Sequence, residues 1–142
     1  MPYLQCTVLR HPQVLRPIAR RWSVRAVNAS ITATNFPFTN NEGDTVRLVL
    51  AHFNRDISSK DAVKKMAQFG YKPAMIEHLM AYGAQRWDLQ PERVACLGSS
   101  WMSPTDRRCV PCLRAWRGDR RLNLYCWHGY WRGDWHFLAI AS

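Results

Sequence analysis

Leu97-Gly98-Ser99-Ser100-Trp101, Arg108-Cys109-Val110-Pro111-Cys112-Leu113, Arg121-Leu122-Asn123-Leu124-Tyr125 and Phe137-Leu138-Ala139-Ile140 punctuate the last third of the chain. Trp127, Trp131 and Trp135 stand at four-residue spacing before the final run. Small, polar and charged residues separate them: His128-Gly129-Tyr130, then Arg132-Gly133-Asp134. These short β-like runs alternate with turn signals at Ser103 to Asp106, Arg117 to Asp119, His128-Gly129 and Arg132 to Asp134, which is strand-and-loop chemistry. Rigid aromatic posts set among residues that no core would select suggest a framework carrying a contact surface.

Upstream of this stretch lie the two clearest helices. Ser58-Ser59-Lys60-Asp61 places a hydroxyl at a cap and an acid three residues on. Ala62, Val63, Met66, Ala67 and Phe69 follow at helical spacing, and Gly70 fits a left-handed stop. Pro73 suits a first helical position, with Ile76, Leu79, Met80 and Ala84 as the next apolar stripe. Met66, Met75 and Met80 serve as core filler. Before the helices, Asn40 to Asp44 reads as a turn, and Thr45 to Phe53 as a strand buried on both faces for much of its length. Gln85 to Glu92 is a polar link holding Trp87. A strand, two helices and then several short strands define an α+β class: two short helices on a small, mostly antiparallel sheet with long Trp-rich loops.

The 142 residues allow one domain. No apolar run approaches the roughly 18–20 residues of a membrane helix. Net charge is +10, and it is unevenly placed. Residues 1–27 carry five arginines and no acid; with Pro2, Pro12 and Pro17 they read as an irregular basic arm. Residues 86–142 carry nine arginines against five acids. Arginine suits bidentate phosphate or carboxylate contacts and stacking on aromatics. A nucleic-acid partner and a solvated basic surface are both compatible with that balance.

Five cysteines cannot all pair among themselves within one chain. Cys109 and Cys112 have the spacing of half a zinc site, but no second close pair completes it. Free, buried or half-buried thiols are expected. With no continuous apolar stretch of the secretory type, they favour a reducing, cytoplasmic compartment. Cys126, His128 and Asp134 lie close enough in sequence for a nucleophilic set. No carboxylate pair for acid–base work and no phosphate-cradling Gly loop accompany them. The chain is therefore read as non-catalytic, with no metal or other cofactor.

One set of motifs carries a resemblance. Asn28 to Thr32, Phe36-Pro37, Leu50-Ala-His-Phe-Asn-Arg55, Ile57-Ser58-Ser59, Gly70-Tyr-Lys-Pro-Ala74, Leu97 to Trp101, Arg108 to Leu113 and Phe137 to Ile140 resemble a recurrent bacterial domain. Its layout is similar to the variable proteins of diversity-generating retroelements, bacterial or phage, which have a C-type-lectin-like fold. The resemblance covers residues 28–142 and implies a ligand-binding domain whose C-terminal segment is diversified on a constant scaffold. The implied framework is Trp101, Val110, Pro111, Leu113, Leu122, Leu124, Trp127, Trp131, Phe137, Leu138 and Ala139. The implied contact positions are Tyr125, Cys126, His128, Gly129, Tyr130, Arg132, Gly133 and Asp134, with Arg114 to Asp119, including Trp116, as neighbours. Trp116 and Trp135 depart from the family's pattern. The implied partner is a protein or other macromolecule.

Burial physics supports the same division. A buried Trp removes ~200 Å² from water, worth about 5 kcal/mol at ~25 cal/mol/Å² before entropy is deducted, whereas surface substitutions change stability by only ~0.5 kcal/mol. The alternative function is a basic single-stranded nucleic-acid (RNA) binding protein. Arg107, Arg108, Arg114, Arg117, Arg120, Arg121 and Arg132 interleave with Trp116, Tyr125, Trp127 and Tyr130, and such mixtures hold single strands by stacking and phosphate contact.

Overall fold

Successive side chains of a strand point to opposite faces, so a sheet covered on both sides must be apolar at every position. That holds for the middle of this protein. The computed structural model describes residues 4–7, 24–39, 45–85, 93–116 and 119–141. In chain order the strands are β1 (Leu4–Thr7), β2 (Val24–Val27), β3 (Thr45–His52), β4 (Ile57–Ser58), β5 (Tyr71–Pro73), β6 (Arg93–Ala95), β7 (Trp101–Met102), β8 (Arg108–Trp116), β9 (Asp119–Cys126), β10 (Tyr130–Trp131) and β11 (His136–Ala141). Helices α1 (Ser59–Gln68) and α2 (Ile76–Gln85) flank β5. The chain is α+β, as the order of elements predicts.

The main sheet runs β1-β3-β11-β6-β8-β9-β2, with β5 also on β11 and β7 on β8; β10 and β4 form a separate two-stranded ribbon. The main sheet is larger than the small one expected. Its pairings are antiparallel except β11 with β6 and β2 with β9. Alternation along the strands sorts residues into two cores. Leu48, Val94, Cys96, Leu113, Leu122 and Leu138 pack with Ile31, Phe36 and the apolar residues of α2. Val49, Ala51, Ala95, Leu97, Val110, Cys112, Phe137 and Ala139 pack with Ala62 and Met66 of α1 and with Trp131 and Trp135. The Trp-rich segment is thus the lid of the second face, beside α1.

Local sequence explains most boundaries. Ser58 caps α1, its side chain accepting from the Asp61 N–H at 3.1 Å. Gly70 closes that helix at φ +81°, a conformation only glycine adopts without strain. The start of α2 differs from expectation. Pro73 lies in β5 opposite Ala139, and the helix opens at Ile76. Proline is tolerated in so short a strand, which among the described residues pairs with β11 alone. The expected stripe on α2 is also too narrow: Glu77, His78, Ala81 and Tyr82 are buried along with Ile76, Leu79 and Met80. Residues 31–39 cover its other side, and the Thr39 N–H and hydroxyl donate to Glu77 Oε2 at 2.7 and 2.9 Å.

Two further corrections concern strand extents. β3 ends at His52, leaving Phe53 outside it. Residues 1–27 are not uniformly irregular, because β1 pairs with β3 and β2 with β9. Residues 8–23, the turn at 40–44, the link at 86–92 with Trp87, and Arg117-Gly118 lie outside the described residues.

Candidate ligand-binding face

The segment from Tyr125 to Trp135 leaves β9, turns, pairs briefly as β10 and turns again into β11. Its aromatic side chains decide its path. The Trp131 ring is 1% exposed and Trp135 3%. Trp131 meets Trp135 edge-on at 4.8 Å and Phe137 at 5.6 Å. Tyr125 closes the cluster at 5.3 Å from Trp131 and 5.0 Å from Trp135. Such tilted and edge-to-face pairs add about 0.5–1.5 kcal/mol each beyond burial. Trp135 is therefore a structural post.

Polar groups anchor the segment at three points. Buried Ser59, the first residue of α1, accepts from the Trp131 indole N–H at 2.8 Å and donates to the Trp127 carbonyl at 2.8 Å. The Trp127 N–H donates to the Arg108 carbonyl, extending the β8–β9 ladder. Gly133 is held by two side chains: its N–H donates to Asp56 Oδ1 at 3.1 Å, and its carbonyl lies 2.7 Å from His52 Nε2. A Cβ at Gly133 would approach the Arg55 nitrogen to 3.1 Å, so this glycine is there for close approach.

Between those anchors the expected contact residues divide. His128, Gly129, Tyr130, Arg132 and Asp134 are exposed, Tyr130 at 77%. Tyr125 is 39% exposed, showing one edge of a ring otherwise used for packing. Cys126 is half-buried opposite Cys109, and Gly133 is half-buried in its backbone contact. Arg114 is half-buried in the middle of the sheet rather than in the loops. The side chain of Trp116 lies outside the described residues. Of the framework residues, Val110, Pro111, Leu113, Leu122, Trp131, Phe137, Leu138 and Ala139 are buried; Trp101, Leu124 and Trp127 are half-buried. Trp127 carries the Arg108 guanidinium 3.8 Å over its ring.

Strand register brings in residues that sequence spacing does not single out. Arg93 of β6 reaches Asp134 at 3.0 Å. His52 and His136, opposite each other on β3 and β11, stack at 4.0 Å. Burial lowers the His136 pKa, and the neighbouring His52 lowers it further, against an opposing pull from Asp134. Cys96, Cys109, Cys112 and Cys126 are free thiols. Burial raises Cys96 well above the ordinary range and pushes Cys112 up to about 12. Among the described residues no group of three or more His, Cys, Asp or Glu is placed to hold a metal ion, and no helix is long and apolar enough to cross a membrane.

A concavity of about 240 Å³ lies on the opposite face between Phe36, Thr39, Met75 and Ser99. The nearby N–H groups at the start of α2 are already engaged: Ile76 donates to Ser99 Oγ at 2.8 Å and Met75 to His78 Nδ1 at 3.0 Å. They are not free to receive an anion. The chain matches no family model, no curated protein and no solved structure.

Proposed function

We propose that this chain is a non-catalytic ligand-display protein, a C-type-lectin-like variable protein of the diversity-generating retroelement type. The segment from Tyr125 to Trp135 would present changeable contact residues on a constant aromatic frame. One observation carries the reading: within this segment Trp131 and Trp135 are almost fully buried, while His128, Tyr130, Arg132 and Asp134 between and beside them are exposed. Gly129 belongs to the tolerant set, since a Cβ there meets nothing nearer than 3.8 Å. Gly133 belongs to the frame. Tyr and Arg are favoured binding hot spots, and their backbone here is fixed from both ends, which lowers the ordering cost of binding.

The direct test replaces His128, Tyr130, Arg132 and Asp134 together with alanine. Stability should change by no more than about 1 kcal/mol, because surface substitutions and an exposed ion pair each contribute little. A loss of cooperative unfolding would assign those side chains to the core and end the display reading. The retroelement connection has its own test. A reverse transcriptase gene and a near-copy of the DNA encoding residues 101–140, differing at adenines, should adjoin the coding sequence.

A further inference from the structure

Three arginines distant in sequence are side by side in the sheet. Arg93 of β6 is the register partner of Arg114 of β8, and Arg114 is the partner of Arg121 of β9. Alternation fixes their common face: Ala95, Cys112 and Val110 of the same strand phases belong to the core under the Trp-rich segment. Their neighbours Val94, Leu113 and Leu122 belong to the opposite core. The row continues the Trp-covered face beyond its lid. With adjacent strands about 4.8 Å apart, it spans about 10 Å.

Like charges placed directly opposite each other on paired strands are destabilising. Here the arrangement occurs twice in succession. Among the described residues, the carboxylate that pairs with the row is Asp134, on Arg93, with side chains 59% and 27% exposed respectively. Arg114 is half-buried and Arg121 exposed, so the guanidinium groups remain within reach of a ligand. Tyr125 lies on the same strand and the same face as Arg121, two alternations along, and shows 39% of its surface.

We infer that the Arg93–Arg114–Arg121 row is a phosphate-contact site for single-stranded nucleic acid. Asp134 acts as a built-in counter-ion that phosphate displaces from Arg93. Planar guanidinium forks match phosphate oxygens two at a time. A sheet face bearing arginines and an accessible aromatic edge suits a flexible strand with unstacked bases. The net charge of +10 adds long-range attraction for a polyanion. Arg93 and Arg121 are not among the display positions; Arg114 and Asp134 are, and the inference concerns the residues that this chain carries there.

The test uses the full chain and a fluorescently labelled 20-nucleotide oligouridylate, with binding followed by anisotropy from 50 to 200 mM salt. Each phosphate contact on a single strand contributes ~0.7 to the slope of log affinity against log salt. Replacing all three residues (Arg93→Gln, Arg114→Gln, Arg121→Gln) should therefore reduce the slope by about 2 and weaken low-salt binding at least tenfold. Asp134→Asn should act oppositely, tightening binding and steepening the slope. That gain cannot come from misfolding, so it keeps the test decisive should the triple variant fail to fold. Absence of wild-type binding would overturn the inference. So would a folded triple variant with an unchanged slope, or an Asp134→Asn variant that binds no more tightly. Competition by polyglutamate as effective as that by unlabelled oligouridylate would overturn it in favour of an acidic protein ligand.

Discussion

Ser59 carries two bonds that no neighbouring hydroxyl duplicates: the Trp131 indole N–H donates to it, and it donates to the Trp127 carbonyl. It sits 1% exposed at the start of α1. Ser59→Ala would leave a buried indole N–H without this acceptor, an arrangement that costs about 1–3 kcal/mol. Urea unfolding of the variant should show a lowered midpoint with an unchanged slope, the product of the shift and the slope matching that loss; an unshifted midpoint would mean that the hydroxyl does not hold the loop. The thiols make a second test at this scale. Burial holds Cys112 at about 12 and raises Cys96 well above the ordinary range. Cys109 is also raised, by burial and by Cys126 across the strand, with Arg107 opposing, but it is only half-buried. Brief iodoacetamide treatment of the folded protein at pH 8 should label Cys109 and Cys126 while sparing Cys96 and Cys112, since the thiolate is the nucleophile. Peptide mass spectrometry with and without urea reads the difference directly. Equal labelling of all four in the folded state would contradict the buried positions of Cys96 and Cys112.

The chain leaving β6 crosses β5 at one tight point. Gly98 donates its N–H to the Ala74 carbonyl at 2.8 Å, and a Cβ there would lie 2.6 Å from that oxygen and 2.7 Å from the Pro73 carbonyl. Both obstacles are backbone, so Gly98→Ala must push the two chain segments apart. The expected loss is about 1–3 kcal/mol, measured as a lowered Tm; full stability would refute the close approach. This crossing also marks where the sequence is easy and hard to read. The α1 cap, its stripe and its Gly70 stop are local chemistry, and they were legible residue by residue. So was β3, from its β-branched and aliphatic run. Pro73 misleads because first-helical-turn and edge-strand positions both accept a residue without an N–H. Only the pairing with Ala139 separates them. β1 and β2 are four-residue strands whose partners, β3 and β9, supply the register. In the candidate site the alternation of buried Trp and exposed polar residues was visible in the spacing. The Arg93–Asp134 pair and the arginine row were not, because they depend on which strands become neighbours.

Across the whole molecule, two histidines on different elements make stability depend on pH in the same direction. His78 lies in α2 within the first core; burial lowers its pKa against an opposing pull from Glu77. Its Nδ1 accepts from the Met75 N–H, which requires that nitrogen to be unprotonated. His136 lies in β11, and its depression comes from burial and then from His52, with Asp134 opposing. Both folded-state values fall below the ordinary 6.5. Between each lowered value and 6.5 the unfolded chain binds more protons than the folded one, so stability rises with pH through that window. The contribution is fully present above about 6.5 and is lost as pH falls towards the folded-state values. Carboxylates titrate lower, near 4 in unperturbed form, so the effect of the histidines should emerge first on acidification. Thermal melts should show a Tm that is flat above pH 7 and declines from pH 6.5 to 5. His136→Gln removes one of the two contributors without adding a charge, and it should flatten that decline while the remaining slope reports His78. An unaltered decline in His136→Gln would rule out the stacked histidine pair as a source of the pH dependence. A Tm that rose on acidification would contradict the direction for both residues.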